Sequence, residues 1–387
     1  FNNYISAMIN PCRLPKIDQF RDCIFQTVSD LPAPYSPAGP MVRLNDVNMV
    51  HFQGCRFQNA IDSSLVEGIG IQSFNSTFEI DPLCVESHLD SCTTWELSSF
   101  SNLDYGISAL AFDPTRTFIV DRAEFTGNNT GIYASAVSLA QVTRCNFEVL
   151  KVDTNDRRYS GGLYLDACNG YKVEENTFHG ISNEHGYSKI GIVINNSNIG
   201  SNQNADNEIY NNTFDNLGVG ILAQNKNRND DGSFGLSIVC NDFANYRKYD
   251  VAVTTDNPNF THMGINRAQG NPGFLKTDPA GNGFSNSGIF PEPLDFRYHN
   301  EGGTFTYYQH DPSGSIKVVS PYPFYTYQGA STITLDTSTY NYYTHDSACC
   351  PSQLIHGGGG GGIENLKSSL FMAETNQIGR ASCRERV

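Results

Sequence analysis

Apolar residues recur along this chain in a short cadence: one apolar residue, two variable positions, a small residue or Asn, one variable position, then Phe. The cadence reads FRDCIF at 20–25, FQGCRF at 52–57, VDRAEF at 120–125, VTRCNF at 142–147, VEENTF at 173–178, IYNNTF at 209–214 and IVCNDF at 238–243. A weaker copy, SFNSTF, ends at Phe78, with Ser73 in the apolar position. The Phe-to-Phe intervals are 32, 21, 47, 22, 31, 36 and 29, and the longest is wide enough to hide a degenerate copy. A second pattern, Gly followed by alternating apolar residues, precedes most copies: GIGI at 68–71, GIY at 131–133, GLYL at 162–165, GIVI at 191–194 and GVGI at 218–221, with DVAV at 250–253 carrying Asp instead. Period-two alternation entered through a turn residue predicts a short strand.

Each unit therefore holds two or three short strands and repeats at roughly 22 residues plus insertions, the signature of a solenoid whose units bury their apolar faces against one another. The Gly, Asn and β-branched content excludes helical repeats, and the Leu ladders of leucine-rich repeats are missing. The fold class that fits is all-β: a right-handed parallel β-helix with a small β-rich C-terminal cap. Its coils would stack about 4.8 Å apart. The recurrent rings, Phe25, Phe57, Phe78, Phe125, Phe147, Phe178, Phe214 and Phe243, are expected to form one internal ladder. Full burial would contribute roughly 1.5–3 kcal/mol each. Asn176, Asn212 and Asn241 take the small slot, filled elsewhere by Cys23, Cys55, Ser76, Ala123 and Cys145. Asn tolerates a left-handed corner and hydrogen-bonds to the next Asn along a stack.

These repeats resemble the right-handed parallel β-helices of the pectin-lyase-like superfamily over about Ile17 to Phe274. More narrowly, GLSIVCNDFANYRKYDVAVTTD at 235–256, GINRAQG at 264–270, DPAGNGFS at 278–285 and CCPS at 349–352 resemble secreted bacterial β-helix proteins that use type IX secretion. The resemblance implies an extracellular or cell-surface protein. Members of the wider superfamily that are enzymes act on polysaccharides.

Composition supports strands and turns over long helices. Charged residues make up only 17%, with 35 Gly and 20 Tyr. A formal charge of −15 disfavours nonspecific nucleic-acid or anionic-membrane partners. No apolar run of about 18 residues predicts a membrane span. Phe1 reads as an internal start, and IGRASCRERV at 378–387 reads as an adapter-derived artefact carrying one of the 11 Cys. Cys84 with Cys92, or Cys12 with Cys23, would close a small loop, and no CxxC spacing points to zinc. The expected organisation is an N-terminal edge at 1–16, the β-helix at 17–280, an aromatic β-rich cap at 281–355 and a Gly linker leading into a further region at 356–377. The cap would cover strand edges and core at the open end.

Three catalytic patterns were weighed. The order of acidic and basic motifs expected of a polygalacturonase fails here: Asp230-Asp231-Gly232 is the paired-Asp candidate, His179-Gly180 and His185-Gly186 precede it, and no R-I-K follows. A solvated turn explains NDDG. A lyase would gather acids for calcium and an Arg base. The best such cluster is Asp153, Asp156, Arg157 and Arg158 in one loop, with Asp166 and Glu174 on the next coil. A metal site would use His179, Glu184 and His185. Exposed tyrosines stack on sugar rings, and Tyr159, Tyr164, Tyr307 and Tyr325 are the candidates for such contacts. The sequence thus points to a non-catalytic, secreted or surface β-helix, structural or adhesive, with a glycan or cell-surface partner and no cofactor. The alternative is a polysaccharide lyase or glycoside hydrolase, with Ca²⁺ as its candidate ion. Oligomeric state is not legible.

Overall fold

Alternation of buried apolar and outward polar residues, with turn residues at the corners, winds the chain into a three-sided tube. A computed structural model describes residues 18–27, 39–60, 68–88, 91–150, 160–181, 189–197, 207–245, 248–256, 262–285, 296–327, 331–336 and 343–354. Three sheets, called A, B and C here, have eight, eight and ten strands, and each of the first eight coils contributes one strand to each sheet in turn. The first coil runs through Asp18–Arg21, Ile24–Gln26 and Pro40–Asn45. Its successors pair in parallel, in register, with the coil before. The chain is an all-β parallel β-helix. Among the described residues, no helix is long and apolar enough to cross a membrane.

The Phe cadence spans the corner from sheet A to sheet B. Its first residue points inward from sheet A, where Phe20, Phe52, Ile80, Val120, Val142, Val173, Ile209 and Ile238 are register partners on successive strands. Its Phe points inward from sheet B. Phe25, Phe57, Phe100, Phe125, Phe147, Phe178, Phe214 and Phe243 form a continuous stack with ring centres 4.6–5.0 Å apart. Phe284 extends it at 6.0 Å.

One expected rung is corrected. Phe78 is not in this ladder. It lies in sheet A, paired with Val50 and Phe118, and stacks on Phe118 at 5.4 Å. Phe100 takes its place because a hairpin, Leu83–His88 with Ser91–Glu96, is inserted at that corner and splits the cadence between Ile80 and Ser98. A disulfide between Cys84 and Cys92 closes the hairpin. Ser76 likewise leaves the small slot to Ser98, whose Oγ accepts the Cys55 N–H at 3.2 Å.

The slot asparagines form a buried polar ladder. Asn176 Oδ1 accepts the Cys145 N–H at 2.8 Å, Asn212 Oδ1 accepts the Asn176 N–H at 2.9 Å, and Asn241 Oδ1 accepts the Asn212 N–H at 3.1 Å. Asn282 continues it at 2.9 Å from the Asn241 N. Each Nδ2 donates to a carbonyl of the preceding coil, such as Val173 O for Asn212 at 2.9 Å. The left-handed corner itself falls one residue earlier than expected: Arg122, Arg144, Glu175, Asn211 and Cys240 have φ of 51–61°. The slot residue must turn its side chain into the tube, so the preceding, outward-facing residue takes the bend.

The Gly pattern has a steric cause. A Cβ on Gly162 would lie 2.5 Å from Phe178 Cδ1 and 2.9 Å from Gly191 O. At Gly106, Gly131 and Gly191 the same clash recurs with the Phe of the following coil, at 2.7–2.9 Å. The Gly and Phe patterns are thus two halves of one contact between coils. Gly162→Ala is expected to destabilise by about 1–3 kcal/mol through overpacking, read as a lower urea midpoint. Shortening the ring with Phe178→Leu should recover part of that loss.

Parallel strands continue beyond residue 280. Phe296–Asn300 and Phe324–Thr326 extend sheet C in parallel beyond Tyr249–Thr254. Ala268–Gln269, Phe305–Tyr308 and Ile333–Asp336 form a further three-stranded parallel sheet. Residues 343–354 then run back along the tube. Cys350 is disulfide-bonded to Cys240, the Tyr210 hydroxyl donates to Pro351 O at 2.6 Å, and the Gln353 N–H donates to Glu174 at 2.7 Å.

Candidate functional site

The outward face of sheet B is polar and charged, with Asn146, Thr177 and Thr213 exposed alongside Arg56, Glu124, Glu148 and His179. Sheet C is different. Its outward row runs, strand by strand, through Gln72, Ser108, Tyr133, Tyr164, Val193, Leu222, Ala252, His299 and Tyr325. A parallel in-register ladder places like positions one above another, so a ring at one offset in two coils becomes a ring pair on the surface. Tyr133 and Tyr164 lie 5.4 Å apart, with Tyr105 6.0 Å from Tyr133. At the other end His299 stacks between Tyr249 at 4.7 Å and Tyr325 at 4.8 Å. The Lys248 ammonium sits 4.9 Å from the Tyr249 ring centre. Between the two groups Val193, Leu222 and Ala252, which are buried, join Ile190 and Val219 in an apolar cluster separate from the tube interior, against which Tyr164 and Tyr249 pack, so the row is open only at its two ends.

Polar groups run beside this strip: Asp166 and Asn195 lie two residues beyond Tyr164 and Val193, and Asn225 lies just past the end of its strand, three beyond Leu222. Asn195 Nδ2 donates to Asp166 Oδ1 at 2.8 Å, and Asn225 Nδ2 donates to Asn195 Oδ1 at 3.0 Å. Burial, and then the Asp166 carboxylate, hold the Tyr133 hydroxyl above the usual phenol range, so it stays a protonated donor at neutral pH. Apolar ring faces beside fixed hydrogen-bonding groups make an amphipathic surface.

Of the tyrosines expected to contact carbohydrate, Tyr164 and Tyr325 fall on this row. Tyr307 does not: it is 1% exposed and its hydroxyl accepts Asn282 Nδ2 at 3.2 Å. Alternation in Phe305–Tyr308 turns Phe305 and Tyr307 inward and Tyr308 outward. Tyr159 lies outside the described residues, as do Asp153, Asp156, Arg157 and Arg158.

The expected acidic cluster is not assembled by its described members. Asp166 is on the outer face of sheet C. Glu174 is on sheet A, buried, with burial raising its pKa against the opposing hydrogen bond from Gln353. It anchors the returning C-terminal segment. His179 pairs with Asp215 at 2.9 Å, while Glu184 and His185 lie outside the described residues. Asp230 pairs with Lys226 at 2.7 Å, and Asp231 accepts the Ser233 N–H at 2.8 Å, a local turn.

Sequence reading missed Tyr133, Tyr249 and His299. For Tyr133 the signal was present: GIY at 131–133 and GLYL at 162–165 both place Tyr two residues after Gly. His299 and Tyr249 had none, because their coils lack the Gly pattern.

No protein-family model and no curated protein sequence matches this chain. Among solved structures it is similar to the tailspike protein of Escherichia coli bacteriophage HK620 in complex with a pentasaccharide. The identity is 15% and the TM-score 0.33, over 78% of this chain and 55% of the tailspike. This chain thus spans about half the tailspike's length. It is also similar to the periplasmic alginate epimerase AlgG, with 10% identity and a TM-score of 0.20, over 82% of this chain and 84% of that one. The β-helix assignment rests on the strand registers themselves, not on these likenesses.

Proposed function

We propose that this chain is an extracellular or cell-surface β-helix whose sheet C binds a glycan along its outer face, as a structural or adhesive module without catalysis. The observation that carries this reading is the outward row with a pair of tyrosine rings at one end, a Tyr–His–Tyr stack at the other and hydrogen-bonding side chains beside it. Sugar rings present C–H faces and hydroxyl edges, and a short oligosaccharide at either ring group would meet both, since the middle of the row is buried. The two disulfides, Cys84–Cys92 and Cys240–Cys350, favour an oxidising compartment. The acidic character of the chain favours a neutral or amino-sugar glycan over a polyuronate.

The test is a glycan array, followed by calorimetry on a bound oligosaccharide. Tyr164→Ala and Tyr325→Ala are each expected to weaken binding about fivefold to thirtyfold, corresponding to about 1–2 kcal/mol for a lost stacking partner. Undiminished binding in both variants contradicts this reading.

One observation favours the enzymatic alternative. On sheet B, Glu148, His179 and Asp215 share an outward row on three successive strands. Two strand spacings separate the carboxylates' backbones by about 9.6 Å, just above the roughly 6.5–9.5 Å carboxyl separation that inverting glycosidases use, so side chains leaning toward one another would fall in that range. Reducing-end release from a glycan panel, lost in Glu148→Gln, would establish that alternative.

A further inference from the structure

We infer that the outer face of sheet A carries a binding site for a divalent transition-metal ion, built by His51, Glu79 and Asp81. These residues lie on two adjacent parallel strands, Val50–Gln53 and Phe78–Asp81, in which His51 is the register partner of Glu79 and Gln53 that of Asp81. The alternate residues, Val50, Phe52, Phe78 and Ile80, are buried in the core, which fixes the outward direction of the other three. Adjacent strands stand about 4.8 Å apart, and alternate residues on one strand about 6.6 Å apart. Side chains as long as His, Glu and Asp converge across those gaps. One ligand atom from each lies within 4.8 Å of the others.

The local geometry suits a metal with short bonds. His51 Nε2 and Asp81 Oδ2 are 3.0 Å apart. Two ligands on a tetrahedral ion with bonds of about 2.0–2.2 Å sit about 3.3–3.6 Å apart, so small side-chain adjustments complete the shell. The His51 and Asp81 side chains are only 18% and 24% exposed. The ladder beneath them is rigid, so the donors are held in place before an ion arrives.

Charge points the same way. Glu79 and Asp81, two residues apart on one strand and facing the same way, repel one another, and a dication reverses that term. One imidazole nitrogen with two carboxylate oxygens is a donor set for Zn²⁺ and its neighbours. Ca²⁺ takes six to eight oxygens instead. Three protein ligands leave a fourth position for water or a donor group of a bound molecule. The site is on a different sheet from the proposed glycan face, so the two readings stand or fall separately.

Calorimetric titration of tag-free protein with ZnCl₂, and separately with CaCl₂, tests the assignment. Circular dichroism confirms that His51→Gln and Asp81→Asn stay folded. The expected result is one Zn²⁺ equivalent, weakened about tenfold or more in each variant. Binding should also weaken at pH 5.5 relative to pH 7.5, because the proton competes with the ion at imidazole. Zn²⁺ binding that neither substitution changes reveals an adventitious ion only and overturns the assignment, as does no binding by the unsubstituted protein. Ca²⁺ binding lost in Asp81→Asn but retained in His51→Gln overturns the transition-metal choice.

Discussion

Asn212→Ala is expected to lower the free energy of unfolding by about 3–5 kcal/mol. Asn212 is 1% exposed and sits mid-ladder. Its Oδ1 accepts both the backbone N–H and the Nδ2 of Asn176, each at 2.9 Å. Its Nδ2 donates to Val173 O at 2.9 Å, Tyr210 O at 3.0 Å and Asn241 Oδ1 at 3.0 Å. Removing the amide leaves the Asn176 N–H without its acceptor and Val173 O without this donor, inside the tube and away from water. Each buried polar group left unsatisfied costs about 1–3 kcal/mol, and the vacated volume adds to that. In a solenoid the damage stays close to the affected coils. Hydrogen exchange should therefore rise most over 173–178, 209–214 and 238–243, alongside a lower urea midpoint. A loss below about 1 kcal/mol would mean that the amide ladder contributes little.

Phe147→Ala is expected to cost a similar amount, about 3–5 kcal/mol. The ring is 1% exposed and lies between Phe125 at 4.6 Å and Phe178 at 4.7 Å, nearly parallel to both. A neighbouring coil cannot collapse into the gap without losing its own register, because each strand is hydrogen-bonded to the coils on both sides. The cavity therefore persists, which is the condition for a cost at the upper end of the range. Urea unfolding followed by circular dichroism measures it. A value near 1 kcal/mol would indicate a ring that is not enclosed.

The winding of the chain was legible because a parallel β-helix repeats its environment in every coil, so the same slot selects the same residue type. Phe147, Phe178 and Phe214 with Asn176 and Asn212 show this directly. What the repeat could not reveal was an insertion at a corner. The Cys84–Cys92 hairpin separates Ile80 from Ser98 and Phe100, and a contiguous pattern then finds SFNSTF instead. Beyond Asp256 the winding continues, but ladder positions change to Asn282, Phe284 and Tyr298, and the cadence is lost while the register persists. The outward faces were the least legible part. Which Tyr faces solvent depends on strand phase, and Tyr307 and Tyr325 look alike until the alternation of their strands is known. Glu174 joins the expected acidic cluster on sequence because it falls on the coil after a charged loop. The hydrogen bond it receives from the Gln353 N–H, a contact 179 residues away in sequence, is not visible there.

The central claim is that consecutive coils pair in parallel and in register, and one cross-linking experiment tests it directly. Asn146 and Thr177 are exposed register partners on adjacent strands of sheet B, and Thr213 is the next partner beyond Thr177. Adjacent positions about 4.8 Å apart fall within the Cα separation of roughly 4.4–6.8 Å that a disulfide spans. Positions two strands apart, at about 9.6 Å, do not. Mild oxidation with peptide mapping by mass spectrometry should therefore join the two introduced thiols in Asn146→Cys/Thr177→Cys. It should leave those of Asn146→Cys/Thr213→Cys free. Ready cross-linking of the second pair, with none in the first, would contradict the coiled register on which the whole account is built.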